Sequence, residues 1–490
     1  MTPAIQRALP GAIGISFKNA NRLLGRLETL NTEAHALLVM RRGIAGLEGY
    51  WAPYGPGQAH GSQSLTKTMT GVALGAAMQE GLIGLDERLI DIFPEYAAHA
   101  AGRPWWDRLR VRHIASMGAG METQPRVTSE DWLEAFFQTE IVHEPGTAYM
   151  YNSIACSTVG ACVRKRSGLG LMDFLKGRVF DVIGIDSAHL LWHRHPDGLE
   201  NGSGGLVSTV RDNALMMELY RRRGIWEGRR ILSEEWVDFA LNVQNPHVGG
   251  DACYGGMLWI RDGIRMADGA MGQWAMLFPE RDVVIAVNQT IAAPAVDAQV
   301  RAALKAFVDA LSDGEVPWTD DEVRQLDNRL SRLCIPAPRY GEDRAALEAL
   351  SGKSLRVVSG DAQFFADDLT IFDPAYRAPV RAFGFEAVDG SLRLHVRADG
   401  GEVVCPVSLK GSRPVCTLAA VGPNPVRTAS VTGRFEPDGA LVLEVRWLES
   451  CRVHHITFHF DEGGADIVTA RVPVGGFDVP DLRARAVWEN

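Results

Sequence analysis

Ser64 and Lys67 stand three residues apart in "HGSQSLTKTMTGVALG" (His60–Gly75), just ahead of an apolar run. A serine hydroxyl is a poor nucleophile until a base takes its proton. A lysine serves as that base near neutral pH only if its pKa falls from about 10.4 by about three units. That shift represents about 4 kcal/mol, supplied by burial or by another cation. Residues three apart share a helical face, so a helix starting near Thr66 holds the Ser64 hydroxyl beside the Lys67 ammonium. The positive end of that helix also favours an oxyanion forming there. The chemistry on offer is nucleophilic attack on a carbonyl.

The spacing alone is weak, because seven lysines and ordinary serine usage give a chance Ser-x-x-Lys about one time in two. Lysine usage sharpens it. The chain has 50 basic residues, yet only seven are lysine. Arginine carries the generic charge, and arginine cannot act as a base.

The element that must position the pair is a helix over Thr66–Glu80. It buries Met69, Val72, Ala73, Ala76 and Ala77, packs closely through Gly71 and Gly75, and stops at Gly81. "AHALLVMRRG" (Ala34–Gly43) reads as a buried strand ending in a turn, and "LFPERDVVIAVNQT" (Leu277–Thr290) as a hairpin. Residues Ala295–Leu311 have helical spacing, with Val300, Leu304, Phe307 and Leu311 on one face. Thr319 and Glu322 form a capping box that starts a short helix, which Pro336 and Pro338 end. Beyond about residue 340 the texture turns to short alternating runs such as "SLRLHVRAD", with hairpin signals at Asp389-Gly390, Asp399-Gly400 and Asp438-Gly439. The expected organisation is a mixed helix-and-strand domain over 1–312, a linker with a short helix over 313–340, and an antiparallel β domain over 341–490, barrel or sandwich.

The context of the serine adds a family. "EGYWAPYGPGQAHGSQSLTKTMTGVALGAAMQEGLIGLDERLIDIFPEY" (Glu48–Tyr96) resembles the active-serine region of the class C β-lactamase, penicillin-binding-protein and serine esterase superfamily. "VRHIASMGAGME" (Val111–Glu122) and "GSGGLVSTVRDNALMMELYRRRGIWEGRRILSEEWV" (Gly202–Val237) resemble later segments of it. "HEPGTAYMYNSIACS" resembles the second, Tyr-x-Asn motif: Tyr151 matches the tyrosine, while Asn152 and Ser153 reverse the usual Ser-Asn order. The resemblance covers roughly residues 10 to 312. It implies an α/β (α+β) serine β-lactamase-like domain, with an antiparallel sheet flanked by helices and a helical subdomain. The smaller all-β C-terminal domain follows it.

It also implies Ser64 as nucleophile, Lys67 and Tyr151 as the acid–base pair, and Ser153 in the polar network where relatives carry asparagine. A phenol of ordinary pKa about 10 becomes a usable base beside a cation. The third motif departs from the pattern: in "RMADGAMGQWAMLFP" (Arg265–Pro279), Ala267-Asp268-Gly269 stands where relatives carry Lys-Thr-Gly or His-x-Gly. The missing cation disfavours β-lactam and peptidoglycan substrates, with Arg265 as the candidate substitute. A backbone N–H near Ala270 would pair with that of Ser64 as an oxyanion hole. Trp192 and Trp274 flank motif segments and are the candidate cleft aromatics for an apolar acyl group.

Other chemistries are excluded. No Gly-x-Ser-x-Gly elbow exists, and "NGSGG" (Asn201–Gly205) lacks the Walker lysine and reads as a turn near the cleft. His193, His195, His454, His455 and His459 have no carboxylate or cysteine partner at ligand spacing, so no metal and no cofactor are expected. The net charge of -10 argues against nucleic acid as a partner. No run of roughly 18 apolar residues points to a membrane span, and no signal-peptide pattern opens the chain. Seven scattered cysteines without a CxxC pair suggest reduced thiols and a cytoplasmic location. The expected activity is a serine hydrolase acting on a small ester or amide. The alternatives are a D-amino-acid amidase or peptidase, a β-lactamase, or a non-catalytic ligand-binding scaffold on the same fold. The β domain has three candidate jobs: capping the cleft, mediating a homodimer, or stabilising the fold.

Overall fold

The computed structural model describes residues 5–30, 32–125, 130–291, 293–336, 343–366, 376–422, 424–471 and 480–489. Pro338 lies outside the described residues. Long apolar strands alternate with tight turns in the first part of the chain and assemble a nine-stranded sheet. Its centre runs Ile44–Tyr50, Glu33–Arg41, Val283–Thr290, Gln273–Phe278, Ile264–Gly269, with every one of these neighbours antiparallel. All eight residues of Val283–Thr290 are buried, because helices cover both faces. Phe17–Thr29 and Pro294–Asp309 pack on one face through Leu23, Leu24, Leu27, Val300, Leu304 and Phe307. The expected apolar stripe of the latter helix is therefore the buried one.

The opposite face carries Val210–Arg221 and the helix that follows Ser64, Thr66–Gln79. The latter ends at Glu80 and Gly81, whose φ of +70° suits glycine. Gly75 is a close approach: a Cβ there would meet Trp236 Cδ1 at 2.2 Å. Twelve of the helix's fourteen residues are buried, since a second helix, Ser153–Ser167, packs on its outer side. This second layer forms the helical part that faces the sheet across the serine.

The capping box of Thr319 and Glu322 is present at the start of Asp320–Leu330. Residues 354–489 then form a ten-stranded sheet. Cys416–Thr417 hangs at its edge, and the other nine strands close into a barrel. Eight neighbouring pairs run antiparallel, so the two ends of an odd-numbered ring must meet parallel. They do, through Val407↔Val431 and Ser408↔Thr432. The three Asp-Gly pairs fall in turns between strands, as the hairpin signals predict. Of the two expected forms, barrel or sandwich, the structure takes the barrel.

The barrel docks against the ends of the central strands Glu33–Arg41 and Val283–Thr290. Arg446, 1% exposed, makes a bidentate pair with Glu33 at 3.0 and 2.6 Å. Arg413 donates to the Pro336 carbonyl at 2.8 Å, and Thr290 Oγ1 donates to the Cys451 carbonyl at 3.0 Å. Arg446 is buried while the Glu33 side chain is 34% exposed, so the pair anchors the barrel through its buried guanidinium.

Candidate active site

Ser64 sits in a single 3-10 turn, Gln63–Leu65, that leads directly into the Thr66–Gln79 helix. It is half-buried, while Lys67 one turn on is 2% exposed. Lys67 Nζ donates to Ser64 Oγ at 3.1 Å and to the Ser203 carbonyl at 2.8 Å. Its ammonium also lies 4.8 Å from the centroid of the Tyr151 ring. No carboxylate pairs with Lys67 among the described residues. Lys67 Nζ is thus buried against one hydroxyl, one carbonyl and one ring face.

The Ser203 carbonyl is held in turn. Asn201 Oδ1 accepts from the Ser203 N–H at 2.9 Å, from Ser203 Oγ at 2.7 Å and from Ser157 Oγ at 3.1 Å. Trp192 Nε1 donates to the Asn201 carbonyl at 2.8 Å, and Thr70 Oγ1 to the Gly202 carbonyl at 2.8 Å. "NGSGG" is thus the loop that anchors the lysine. Its role was hidden in the sequence because the contact is made by a backbone carbonyl, which any residue supplies.

Tyr151 lies just before the Ser153–Ser167 helix and stacks on Trp259, centroids 5.8 Å apart at 21°. Sequence reasoning missed Trp259, although it is only eight residues before the Ala267 of the third motif. The reversed Asn-Ser order has a local consequence. Asn152 caps the helix, its side chain accepting from the Ala155 N–H at 2.9 Å. The Ser153 N–H donates to Gln124 Oε1 at 2.8 Å, and the Ser153 hydroxyl makes no hydrogen bond among the described residues. The structure therefore does not join Ser153 to the Ser64–Lys67 network.

The Ile264–Gly269 strand passes against the serine turn. A Cβ on Gly269 would meet the Ser62 carbonyl oxygen at 2.2 Å, so only glycine fits there. Ala267 is fully buried on the face that the Thr66–Gln79 helix covers. Asp268 and Trp274 are register partners on the other face, where Trp274 Nε1 donates to Asp268 Oδ1 at 3.0 Å. Trp274 is 0% exposed among the core residues beneath the terminal helices. It packs away from Ser64 and lines no cleft, because strand alternation sends every second side chain through the sheet. Burial raises the Asp268 carboxyl above its usual range. Arg265 donates to the Leu241 carbonyl at 2.9 Å, at the far end of the strand, so it does not replace the missing cation. Ala270 follows the strand directly. Among the described residues no group of histidines, cysteines and carboxylates is arranged to hold a metal ion.

A family model described as Beta-lactamase matches residues 25–310. The chain belongs to the beta-lactamase family. A Beta-lactamase of Yersinia enterocolitica is 32% identical over 127 residues, 25% of this chain and 31% of that protein. The 6-aminohexanoate-dimer hydrolase of Paenarthrobacter ureafaciens is 25% identical over 264 residues, 49% of this chain and 66% of that protein. The match thus spans about a third to two thirds of the length of these relatives. A Bacillus anthracis structure provisionally named 6-aminohexanoate-dimer hydrolase aligns with TM-score 0.51 at 18% identity, covering 64% of this chain and 89% of that one. It shows a shared fold. Among the described residues no cysteine forms a disulfide, and no helix is long and apolar enough to cross a membrane.

Just upstream of Ser64 lies a buried histidine pair. His60 Nδ1–H donates to the Gly61 carbonyl at 3.2 Å, so its Nε2 accepts from His35 Nδ1–H at 2.9 Å. Tyr54 stacks on His35 at 4.0 Å, and the Arg446–Glu33 pair lies alongside. Burial lowers His60 to about 4 and His35 well below its ordinary value. Both folded values lie below the unfolded value of about 6.5, so the fold favours the neutral forms. Their stabilisation is complete above about pH 6.5 and is lost as pH falls toward 4, about 3 kcal/mol for His60 alone. Urea midpoints should therefore drop between pH 7 and pH 4.5, and His60→Gln should flatten that drop. A His60→Gln profile parallel to that of the parent protein would contradict this.

Proposed function

We propose that the chain is a serine hydrolase that cleaves a small ester or amide through an acyl-enzyme on Ser64. The observation that carries this is the Lys67 ammonium, buried, 3.1 Å from Ser64 Oγ and against the Tyr151 ring. In this reading one member of the Lys67–Tyr151 pair starts the cycle without its proton, and as Ser64 Oγ attacks the substrate carbonyl its proton passes to that vacant site. The N–H groups of Ser64 and Ala270 bind the oxyanion, a contribution worth about 3 kcal/mol per donor. The same pair then returns the proton to the leaving group, and water hydrolyses the acyl-enzyme. Aliphatic Ala267 offers no cation to a substrate carboxylate, which supports esters and simple amides over β-lactams. The relative named for hydrolysing the 6-aminohexanoate dimer supports the same direction. We also take residues 1–312 as the catalytic unit and 341–490 as the β domain, joined by the 313–340 linker.

Intact-protein mass spectrometry after treatment with a fluorophosphonate tests the reading. One adduct is expected, mapped by peptide sequencing to Ser64. A protein that stays unlabelled at millimolar probe would favour the non-catalytic scaffold instead.

A further inference from the structure

The two residues that flank the oxyanion donors share an unusual backbone. Gln63 immediately precedes Ser64 and has φ +50°; Met271 immediately follows Ala270 and has φ +63°. Neither is glycine, and both occupy the left-handed region that side chains avoid. Such conformations persist only where the surroundings hold them. The Ser64 N–H belongs to the peptide that the Gln63 torsions aim, and the Ala270 N–H lies one peptide ahead of Met271.

A single side chain from the barrel touches both. Cys451 is 1% exposed and lies between the barrel strands Leu441–Trp447 and Val453–Asp461. Its Sγ accepts from Gln63 Nε2 at 3.4 Å and its thiol donates to Met271 Sδ at 3.5 Å. The Cys451 carbonyl accepts from Thr290 Oγ1 at 3.0 Å, and the next residue, Ile291, donates its N–H to the Met271 carbonyl at 3.0 Å. The stem of the same loop is fixed by the buried Arg446–Glu33 pair. The loop is therefore tied to the first domain at Met271, Thr290 and Glu33.

We propose that Cys451 is a positioning residue: the barrel holds Gln63 and Met271 in their left-handed conformations and so aims the two oxyanion-binding N–H groups. This rests on the hydrolase reading above. It gives the β domain a catalytic purpose besides stability, carried by a residue that never touches substrate.

The test compares full-length Cys451→Ala, Cys451→Ser and Cys405→Ala. Cys405 is equally buried in the same barrel and serves as the control. Hydrolysis of p-nitrophenyl acetate and the rate of fluorophosphonate labelling at Ser64 are read alongside Tm. Misaimed donors act on the transition state, so Cys451→Ala should lower kcat and the labelling rate about tenfold, with KM within twofold. Cys451→Ser keeps an acceptor for Gln63 but reaches Met271 poorly, so its kcat should fall between the two; it also serves if the alanine variant does not fold. Equal losses in Cys451→Ala and Cys405→Ala, or a change in KM alone, would overturn the positioning role. So would a Cys451→Ala or Cys451→Ser enzyme at full kcat and labelling rate. A parent protein whose turnover and labelling survive Ser64→Ala would overturn the hydrolase reading itself, an outcome separate from the others.

Discussion

Alanine at position 64 is expected to lower hydrolysis of p-nitrophenyl acetate by a factor on the order of 10³ or more, while alanine at position 62 leaves kcat within a few-fold. The two serines are two residues apart and differ in what their hydroxyls do. Ser64 Oγ is half-exposed and accepts from the Lys67 ammonium. Ser62 is 1% exposed, its Oγ lies 2.7 Å from Ser208 Oγ, and Ser208 passes the chain on to Asn213 Oδ1 at 2.8 Å. Ser62 is consumed in a structural network, so its loss should cost about 1 kcal/mol of stability and little chemistry. Steady-state kinetics on both variants, with circular dichroism to show folding, separates them. Activity in Ser64→Ala within tenfold of the parent would remove Ser64 as the nucleophile.

How far the site could be read from sequence depends on the range of each contact. Ser64 and Lys67 are brought together by one helical turn, so their spacing carried the information. Tyr151 meets Lys67 across 84 positions of chain (151 minus 67), and no local pattern fixes such a meeting; resemblance to a family supplied it. The Ser203 carbonyl and the Cys451 contacts are equally distant and leave no residue-type signature. Trp274 was misplaced for another reason. Both faces of the sheet are covered by helices, so hydrophobicity marks neither face, and proximity to a motif says nothing about which way a strand residue points. Its register partner Asp268 shares that fate. The barrel strands showed their alternation and their Asp-Gly turns plainly. What alternation could not show was closure, which rests on the short parallel pair at Val407 and Val431.

Methionine at position 67 separates catalysis from stability more sharply than any other substitution in the site. The side chain is nearly isosteric with lysine but carries no proton to move. If Lys67 takes part in proton transfer, kcat/KM should fall by about 10² to 10⁴. Stability should move little or rise, because an apolar group in a buried position avoids the desolvation that an unpaired ammonium suffers. The offsetting loss is the Ser203 carbonyl's donor, about 1 kcal/mol. Arginine at the same position tests the electrostatic share alone. It keeps the positive charge beside Tyr151 but cannot give up a proton, and its planar fork is larger than the space between Ser64 and Ser203. Lys67→Arg is therefore expected to be as inactive as Lys67→Met and less stable. An arginine variant with near-parental turnover would mean that charge alone suffices and that the proton from Ser64 goes elsewhere, with Tyr151 the remaining base. A methionine variant that is inactive yet melts above the parent would place Lys67 among residues retained at a cost to stability for the sake of chemistry.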